Sequence, residues 1–366
     1  MFLKPSRSAK RPQLTCISLF AGCGGLDLGL EAAGFRIVVA TDADSNCAES
    51  HRLNFPYSEF IQRRIGEVHP RELLDLAGLK RGAEVDLLAG GPPCPAFSKS
   101  RFYRKEKPRA LDDPVAKETI GGYLRVLDLV RPRAFILENV KGLAYGVHKQ
   151  ALDTIIQKAE KYGYHTSWQV VNAADFGVPQ IRERCIVMGG LDGPIPFPHV
   201  THEKLPSPAN LAPWVSAGVA IADLDTTKNA RDEGHFAGGQ YNDLLRQIPP
   251  GENYLYFTKE RGHIRPKFVW RSRYWSFLLK LSPDMPSWTI QARRSNNMGP
   301  FHWRSRILRI AEVKRLQTFP DDFELVGTIE QQWRQIGNAV PPLLAERLGN
   351  SIMSFLKSHK PTKKVA

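Results

Sequence analysis

An α/β fold built on a mostly parallel sheet, with a smaller second domain inserted late in the chain, is what this sequence predicts. Two observations carry that expectation. Up to about residue 190, short apolar runs alternate with helix-like stretches. From 191 the alternation stops, and helical patterning returns only at about 305. Strands that alternate with helices are joined by crossovers, and crossovers produce a mostly parallel sheet with helices on its faces.

The runs CISLFAG, FRIVVATD, EVDLLAGG, AFILENV and RCIVMGG each read as a strand ending in glycine or a polar residue. Between some of them lie helical patterns. Leu152, Ile155, Ile156 and Ala159 recur at i, i+3, i+4 and i+7, and Gly163 closes that stripe. Ligands of such sheets sit beyond the carboxyl ends of the strands, where the glycine and polar clusters of this chain fall. Residues 191–214 are rich in proline and poor in period, an irregular entry or linker. The segment onward to about 304 is rich in Arg, Trp, Tyr and Gly and reads as the smaller domain. AEVKRLQTF and PPLLAERLGNSIMSFLK then restore helical patterning within 305–366.

With 366 residues and 42% apolar content, the chain can bury a sizeable core. No apolar run approaches the ~20 residues that span a bilayer. The basic start MFLKPSRSAKRPQ lacks the apolar core of a secretory signal. A soluble, intracellular (cytoplasmic) protein with no membrane partner is expected. The cysteines, Cys16, Cys23, Cys47, Cys94 and Cys185, are odd in number and form no C-x-x-C pair. That pattern argues against a disulfide framework or a zinc site, so no metal is expected.

The formal net charge is +14. Part of it lies in the termini, at Lys4, Arg7, Lys10, Arg11, Lys357, Lys360, Lys363 and Lys364. The excess in the body gathers at 259–273, where Lys259, Arg261, Arg265, Lys267, Arg271 and Arg273 face only Glu260. A concentrated basic surface suits a polyanion such as nucleic acid; the plainer reading is a solubilising face.

Phe20-Ala21-Gly22-Cys23-Gly24-Gly25 follows the first strand and precedes a helix. Glycines there let the backbone turn sharply and approach a ligand closely. Asp42 ends the second strand, where an acid can accept hydrogen bonds from ribose hydroxyls. Either a dinucleotide or an adenosyl cofactor would suit. The dinucleotide pattern G-x-G-x-x-G needs glycine at position 27, which is Asp27, so the adenosyl reading is preferred over a nicotinamide dehydrogenase.

Gly90-Gly91-Pro92-Pro93-Cys94-Pro95 follows the third apolar run and builds a stiff loop at a strand end. A packing cysteine needs no such surroundings. Glu138-Asn139-Val140 ends the strand AFIL and should share that sheet edge. Thiolate attack on C6 of cytosine calls for a proton or hydrogen bond at N3, which a protonated glutamic acid can give. A free thiol is only a few per cent thiolate at neutral pH, so a nearby cation helps. Arg182 and Arg184, in QIRER, are candidates, with a surface ion-pair cluster as the plainer reading.

FAGCGG, GGPPCP, ENV, QIRER, RLQTFPD and QIGNAVPP stand here in that order. This ordered set resembles the cytosine-C5 DNA methyltransferase family, of the bacterial restriction-modification type, and covers most of the chain outside 191–304. The resemblance implies a Rossmann-like domain dependent on S-adenosyl-L-methionine, with S-adenosyl-L-homocysteine as product. Residues 1–190 would be the catalytic and cofactor-binding domain, 191–304 the target-recognition domain, and 305–366 a segment returning to the catalytic domain. Phe20, Gly22 and Gly24 would line the cofactor pocket, joined by Gly25, Leu26, Ala43, Ile65 and Pro92. Asp42 would bind the ribose, and Asn338 and Val340 would return to the pocket. Cys94 would be the nucleophile, Glu138 the N3 partner, and Arg184 the contact to cytosine, with Arg182 beside it.

A loop after the cysteine would close over double-stranded DNA, here Ser98-Lys99-Ser100-Arg101-Phe102-Tyr103-Arg104-Lys105, whose cations and aromatics suit phosphate contact and stacking. Chemistry at C5 and C6 needs both ring faces, so the base must be flipped out of the duplex. In the recognition domain Trp288-Thr289-Ile290 resembles the family's Thr-Leu segment. Thr289, Arg293, Arg294, Asn296 and Asn297 are candidates for base or phosphate contact, followed by Arg271, Arg273 and Tyr274; Trp270, Trp275 and Trp303 read as domain core. Three positions depart from the family. Pro95 replaces glutamine, Arg64-Ile65 stands for an Asp-Ile pair at the adenine ring, and Asn338-Ala339-Val340 stands for Asn-Ser-Val. Family members are often monomers, and the compact build suggests pairing with a restriction endonuclease. The competing readings are a tRNA cytosine methyltransferase, opposed by the long basic insertion, and an inert DNA-binding protein on the same scaffold.

Overall fold

The computed structural model describes residues 14–78, 84–93, 113–205, 211–225 and 237–359. Its centre is a seven-stranded sheet. Six of its strands are β1 (Leu14–Leu19), β2 (Phe35–Asp42), β3 (Glu59–Gln62), β4 (Leu87–Gly90), β5 (Ala134–Val140) and β6 (His165–Asn172). A two-residue strand, β7 (Gln180–Ile181), stands outside this sheet, and β8 (Glu183–Gly190) completes it. The order across the sheet is β3-β2-β1-β4-β5-β8-β6. The first five run parallel, and β8 runs antiparallel to both β5 and β6.

All five apolar runs are strands of this sheet. The two unforeseen strands carry weak patterns. EFIQ of β3 has only two apolar residues, and β6 is an edge strand whose one-sided burial leaves HTSWQ largely polar.

Helices α1 (Gly25–Ala32), α2 (Ser45–Asn54), α3 (Pro70–Leu76), α4 (Pro114–Val130) and α5 (Lys149–Lys161) connect the strands. Local chemistry sets their ends. Asp44 caps α2 by accepting from the amides of Asn46 and Cys47. Asp113 does the same for α4 at Val115 and Ala116, with Pro114 at the first helical position. Beyond the sheet come the short α6 (Ala217–Ile221) and α7 (Asn242–Gln247), then α8 (Ile310–Leu316), α9 (Ile329–Asn338) and α10 (Pro342–Ser358). Two-residue strands β9 (His202–Glu203) and β10 (Ala212–Pro213) pair with each other, and β11 (Ser287–Trp288) pairs with β7.

Alternation along the strands divides the sheet core in two. Leu88, Phe135 and Leu137 point toward Tyr123, Leu127, Leu152 and Ile155 of α4 and α5. Leu87, Ala89 and Ile136 point toward Leu30 of α1 and Leu344, Leu348 and Ile352 of α10. Contact between α1 and α10 is backbone-close: a Cβ on Gly29 would collide with the Pro342 carbonyl. The end of the chain thereby packs against its beginning. A third cluster joins Cys23, Leu28 and Phe55 to apolar residues between Ala217 and Ile336, among them Leu245, Phe257, Leu278, Ile290 and Trp333.

Candidate active site

Strand ends β1, β2, β4 and β5 present the predicted site residues along one edge. After β1 the backbone enters the left-handed region at Phe20 (φ 56°), Gly22 (φ 57°) and Gly24 (φ 99°). A non-glycine there is strained by roughly 1–2 kcal/mol, and Ala21 N–H, donating to Thr41 O at 2.9 Å, helps hold it. Gly22 N–H donates to Asp42 Oδ2 at 2.9 Å, and Asp44 N–H to Asp42 Oδ1 at 2.9 Å. Burial pushes the Asp42 carboxyl up, and these two amides act against that shift. Each oxygen keeps acceptor capacity for a hydroxyl. A Cβ on Gly22 would meet nothing within 4 Å, so the loop faces open space where a ligand can approach.

Behind the loop the packing is dense. A Cβ on Gly25 would lie 2.5 Å from Val340 O and 2.8 Å from Ala339 Cβ. The last motif therefore backs the loop at Gly25. Leu26 and Val340 are buried, at 6% exposure each, which makes them supports of the loop, while Asn338 and Ala43 are exposed. Asp27, one turn into α1, accepts from Ser18 Oγ at 2.5 Å and faces His51 Nε2 at 2.8 Å. That buried trio ties β1, α1 and α2 together beneath the loop. Ile65 is buried against α4, and Arg64 beside it is exposed.

Cys94 lies outside the described residues, as do Pro95, Ser98, Lys99 and Arg101. The approach to Cys94 is described as far as Pro93, and it is held against β5. A Cβ on Gly91 would lie 3.1 Å from Glu138 Oε2. Asn139 Nδ2 donates to Pro92 O at 3.1 Å. Thr119 Oγ1, on α4, is 3.1 Å from Pro93 O. Asn139 and Thr119 escaped the sequence reading; the only signal was Asn139's place inside ENV. Pro92 is buried in this clamp.

Glu138 is 8% exposed, and its Oε1 sits 2.8 Å from Arg184 Nε. Antiparallel pairing of β5 with β8, with Val140 opposite Arg184, brings the two side chains together. Burial draws the Arg184 pKa down, opposed by Glu138.

Arg182 takes a different position. It is 1% exposed and donates to Ile290 O at 3.1 Å, Gly337 O at 2.8 Å and Ala339 O at 3.0 Å. Its guanidinium is engaged by backbone carbonyls at the end of α9 and in the segment after β11. The sequence set Arg182 beside Arg184 as a candidate cation near the thiol; in the structure its donors are turned to these carbonyls instead.

The four described cysteines are free thiols. Burial pushes Cys23 and Cys185 up to about 12 and raises Cys16 and Cys47 as well. None is a ready thiolate. Among the described residues no group of three His, Cys, Asp or Glu is arranged to hold a metal ion, and no helix is long and apolar enough to cross a membrane.

Among the candidate DNA contacts, Arg271, Arg273, Arg293 and Asn296 are exposed. Arg271 lies over the Trp270 ring at 5.7 Å and Arg273 over Phe277 at 5.7 Å. Thr289 is half-buried and donates to Ile181 O at 2.7 Å, tying β11 to β7. Arg294 differs from its neighbours: its side chain is 5% exposed and lies 3.5 Å from Glu330 of α9, so it is turned into the protein. Trp275 also departs from expectation. It is 49% exposed and packs edge-on against the partly exposed Trp288, with ring centroids 5.7 Å apart. Trp270 and Trp303 do pack against the third core cluster.

Residues 14–354 match the family described as C-5 cytosine-specific DNA methylase. The chain is 39% identical over 372 residues to the Type II methyltransferase M.SacI of Streptomyces achromogenes, covering 94% of each. It is 31% identical to the Type II methyltransferase M.XorII of Xanthomonas oryzae pv. oryzae, over 96% of this chain and 87% of that one. A solved structure of an E. coli prophage protein, titled as a DNA modification methyltransferase, superposes with a TM-score of 0.67 at 22% identity. It covers 94% of this chain and 99% of that one, a likeness of fold. The chain belongs to the C-5 cytosine-specific DNA methylase family and is a DNA (cytosine-5-)-methyltransferase.

Proposed function

We propose that this enzyme methylates C5 of one cytosine within a specific double-stranded DNA sequence, through base flipping and a covalent bond from Cys94. S-adenosyl-L-methionine would be the donor, and the residues present fit it: an open glycine turn at Gly22 and a carboxylate, Asp42, with spare acceptor capacity at the ribose position. When bound, that cofactor supplies an electrophilic methyl carbon on a sulfonium. The observation that carries the reading is the Glu138–Arg184 pair, set beside Gly91 in the strand end that leads to Cys94.

The chemistry follows from that placement. The Cys94 thiolate adds to C6 while Glu138 gives its proton or a hydrogen bond to N3. Electron density gathers at C5, to which S-adenosyl-L-methionine would supply its methyl as the methyl–sulfur bond breaks, leaving S-adenosyl-L-homocysteine. A base removes the C5 proton, the C5–C6 double bond re-forms, and the thiolate leaves as N3 returns its proton to Glu138. Arg184 fixes Glu138 and keeps guanidinium N–H groups for the cytosine. Arg182 is a positioning residue in this scheme, since it touches neither Glu138 nor open space.

Residues 191–304 would act as the target-recognition domain, with Arg271, Arg273, Arg293 and Asn296 free to meet DNA. Ser98, Lys99 and Arg101 would close over it. The Type II names of the relatives support a modification enzyme paired with a restriction endonuclease; it would act as a monomer in the bacterial cytoplasm. A duplex carrying 5-fluorocytosine tests the central step, because fluorine cannot leave as a proton. Purified enzyme with cofactor should form a denaturant-resistant adduct, and Cys94→Ala should form none. Absence of adduct with the unaltered enzyme would favour an inert DNA-binding protein. Transfer of labelled methyl to tRNA alone would overturn the DNA substrate, and bisulfite sequencing of modified DNA would read the target site.

A further inference from the structure

By the family resemblance position 64 would face the cofactor's adenine, but Arg64 stands there, exposed and with no acceptor to offer. An exocyclic amine needs an acceptor, and a neighbouring element brings one. Helix α4 lies against the turn at 65–68 and is registered there by two contacts. Gly122 has no side chain, and a Cβ on it would lie 2.7 Å from Ile65 Cγ2. Arg125 reaches the same turn, with Nη2 donating to Ile65 O at 2.6 Å and Val68 O at 3.1 Å. Residues 118, 122 and 125 are spaced i, i+4, i+7 and so share one helical face. Glu118 is therefore directed at the same turn, one helical step nearer the start of α4. Its Oε1 lies 3.3 Å from where a Gly66 Cβ would stand. The start of α4 is also the end that reaches the ligand edge of the sheet, because Thr119, the next residue, contacts Pro93 O. Glu118 is exposed, and among the described residues it has no hydrogen-bond or ion-pair partner, so its carboxylate is available.

We infer that Glu118 accepts a hydrogen bond from the 6-amino group of the cofactor's adenine, taking over from α4 the part that position 64 cannot play. Gly66 leaves room for the carboxylate at this place. The inference rests on the cofactor reading above and adds a specificity residue to it.

Calorimetry without DNA tests it, using S-adenosyl-L-homocysteine and its purine analogue, in which hydrogen replaces the 6-amino group. The unaltered enzyme should bind the purine analogue about tenfold or more weakly, as expected for losing one hydrogen bond to a charged acceptor. Glu118→Ala should bring the two affinities to within about twofold, by weakening only S-adenosyl-L-homocysteine. Glu118→Gln, whose amide oxygen still accepts, should keep part of the discrimination. Glu118 is on the surface, so thermal midpoints of both variants should match the parent. An unchanged affinity ratio in Glu118→Ala would overturn the inference and leave the cofactor reading standing. Failure of the unaltered enzyme to bind S-adenosyl-L-homocysteine would overturn both.

Discussion

Replacing Arg182 with alanine separates positioning from catalysis. Its guanidinium is buried and donates to three carbonyls, of Ile290, Gly337 and Ala339. Two of them close the C-terminal end of α9, where the helix carries about half a negative charge and a cation is favoured. Burial and the neighbouring Arg184 pull the Arg182 pKa down, with Glu138 opposing. Truncation would leave three buried acceptors without donors, at about 1 kcal/mol or more each, and a cavity the size of the side chain. A total of about 3–5 kcal/mol is a large part of the 5–15 kcal/mol that holds a typical domain. At about 2.1 cal/mol/K per residue of unfolding entropy, a chain of this length should lose roughly 4–7 °C of thermal midpoint. Adduct formation with the 5-fluorocytosine duplex, measured well below that midpoint, should fall by less than about tenfold, or about 1.4 kcal/mol. Arg184→Ala should do the reverse, with adduct formation reduced by on the order of a hundredfold or more. An unshifted midpoint together with abolished adduct in Arg182→Ala would refute this assignment and restore Arg182 to the chemistry.

Four further outcomes are expected. Glu138→Gln removes the acid proposed to serve N3 and should lower methyl transfer by about 10²–10⁴-fold, with calorimetric affinity for S-adenosyl-L-homocysteine unchanged. Asn139→Ala takes the donor from the Pro92 carbonyl, and should slow adduct formation and reduce stability by about 1 kcal/mol, read from denaturant unfolding. Paired Arg271→Ala and Arg273→Ala changes should weaken all duplexes alike and lower the slope of log affinity against log salt by about 0.9 for each phosphate that is no longer neutralised. The Glu31 carboxyl is pushed up to about 7 by burial, with the Asp27 charge adding to the shift. Its folded value exceeds the ordinary one, so the stability of the protonated form is complete below about 4.5 and lost as pH rises through about 7. Glu31→Gln should therefore gain thermal midpoint over the parent on going from pH 5 to pH 8, and equal pH profiles would count against the shift.

How far the sequence disclosed this molecule depends on the distance over which each interaction acts. Strands β1, β2, β4, β5 and β8 were legible because each is a dense apolar run that needs no knowledge of its neighbours. Strand β3 was not, because two apolar residues in EFIQ become a strand only through pairing with β2. Glu138 and the glycine loop could be placed at one sheet edge, since one lies at the end of a strand of a parallel sheet and the other follows such a strand. Arg182 and Arg184 could not be told apart, being two residues apart in one motif. Their division of labour comes from partners more than a hundred residues away in one case and from the β5–β8 register in the other. Arg293 and Arg294 show the same limit: adjacent cations, one exposed and one facing Glu330 of a helix that begins 35 residues later.

Those distant partners also explain why motifs so far apart in the chain travel together. Gly25 admits the Val340 carbonyl, and Gly29 admits that of Pro342. Gly337 admits the backbone of Gln291 and Ala292, where a Cβ would stand 2.6 Å from Gln291 O. Trp333 Nε1 donates to that same carbonyl at 2.9 Å. A glycine whose neighbour is backbone leaves no side chain to move aside, so any substitution must displace a main chain. The cofactor loop, the last motif and the segment carrying Thr289 and Arg293 are thus joined backbone to backbone, with Arg182 donating into two of the three. A shift in the segment carrying Thr289 and Arg293 can pass through Gly337 and Ala339 to reach Gly25. That chain of contacts is a physical route by which recognition of the duplex and the set of the cofactor loop can depend on each other.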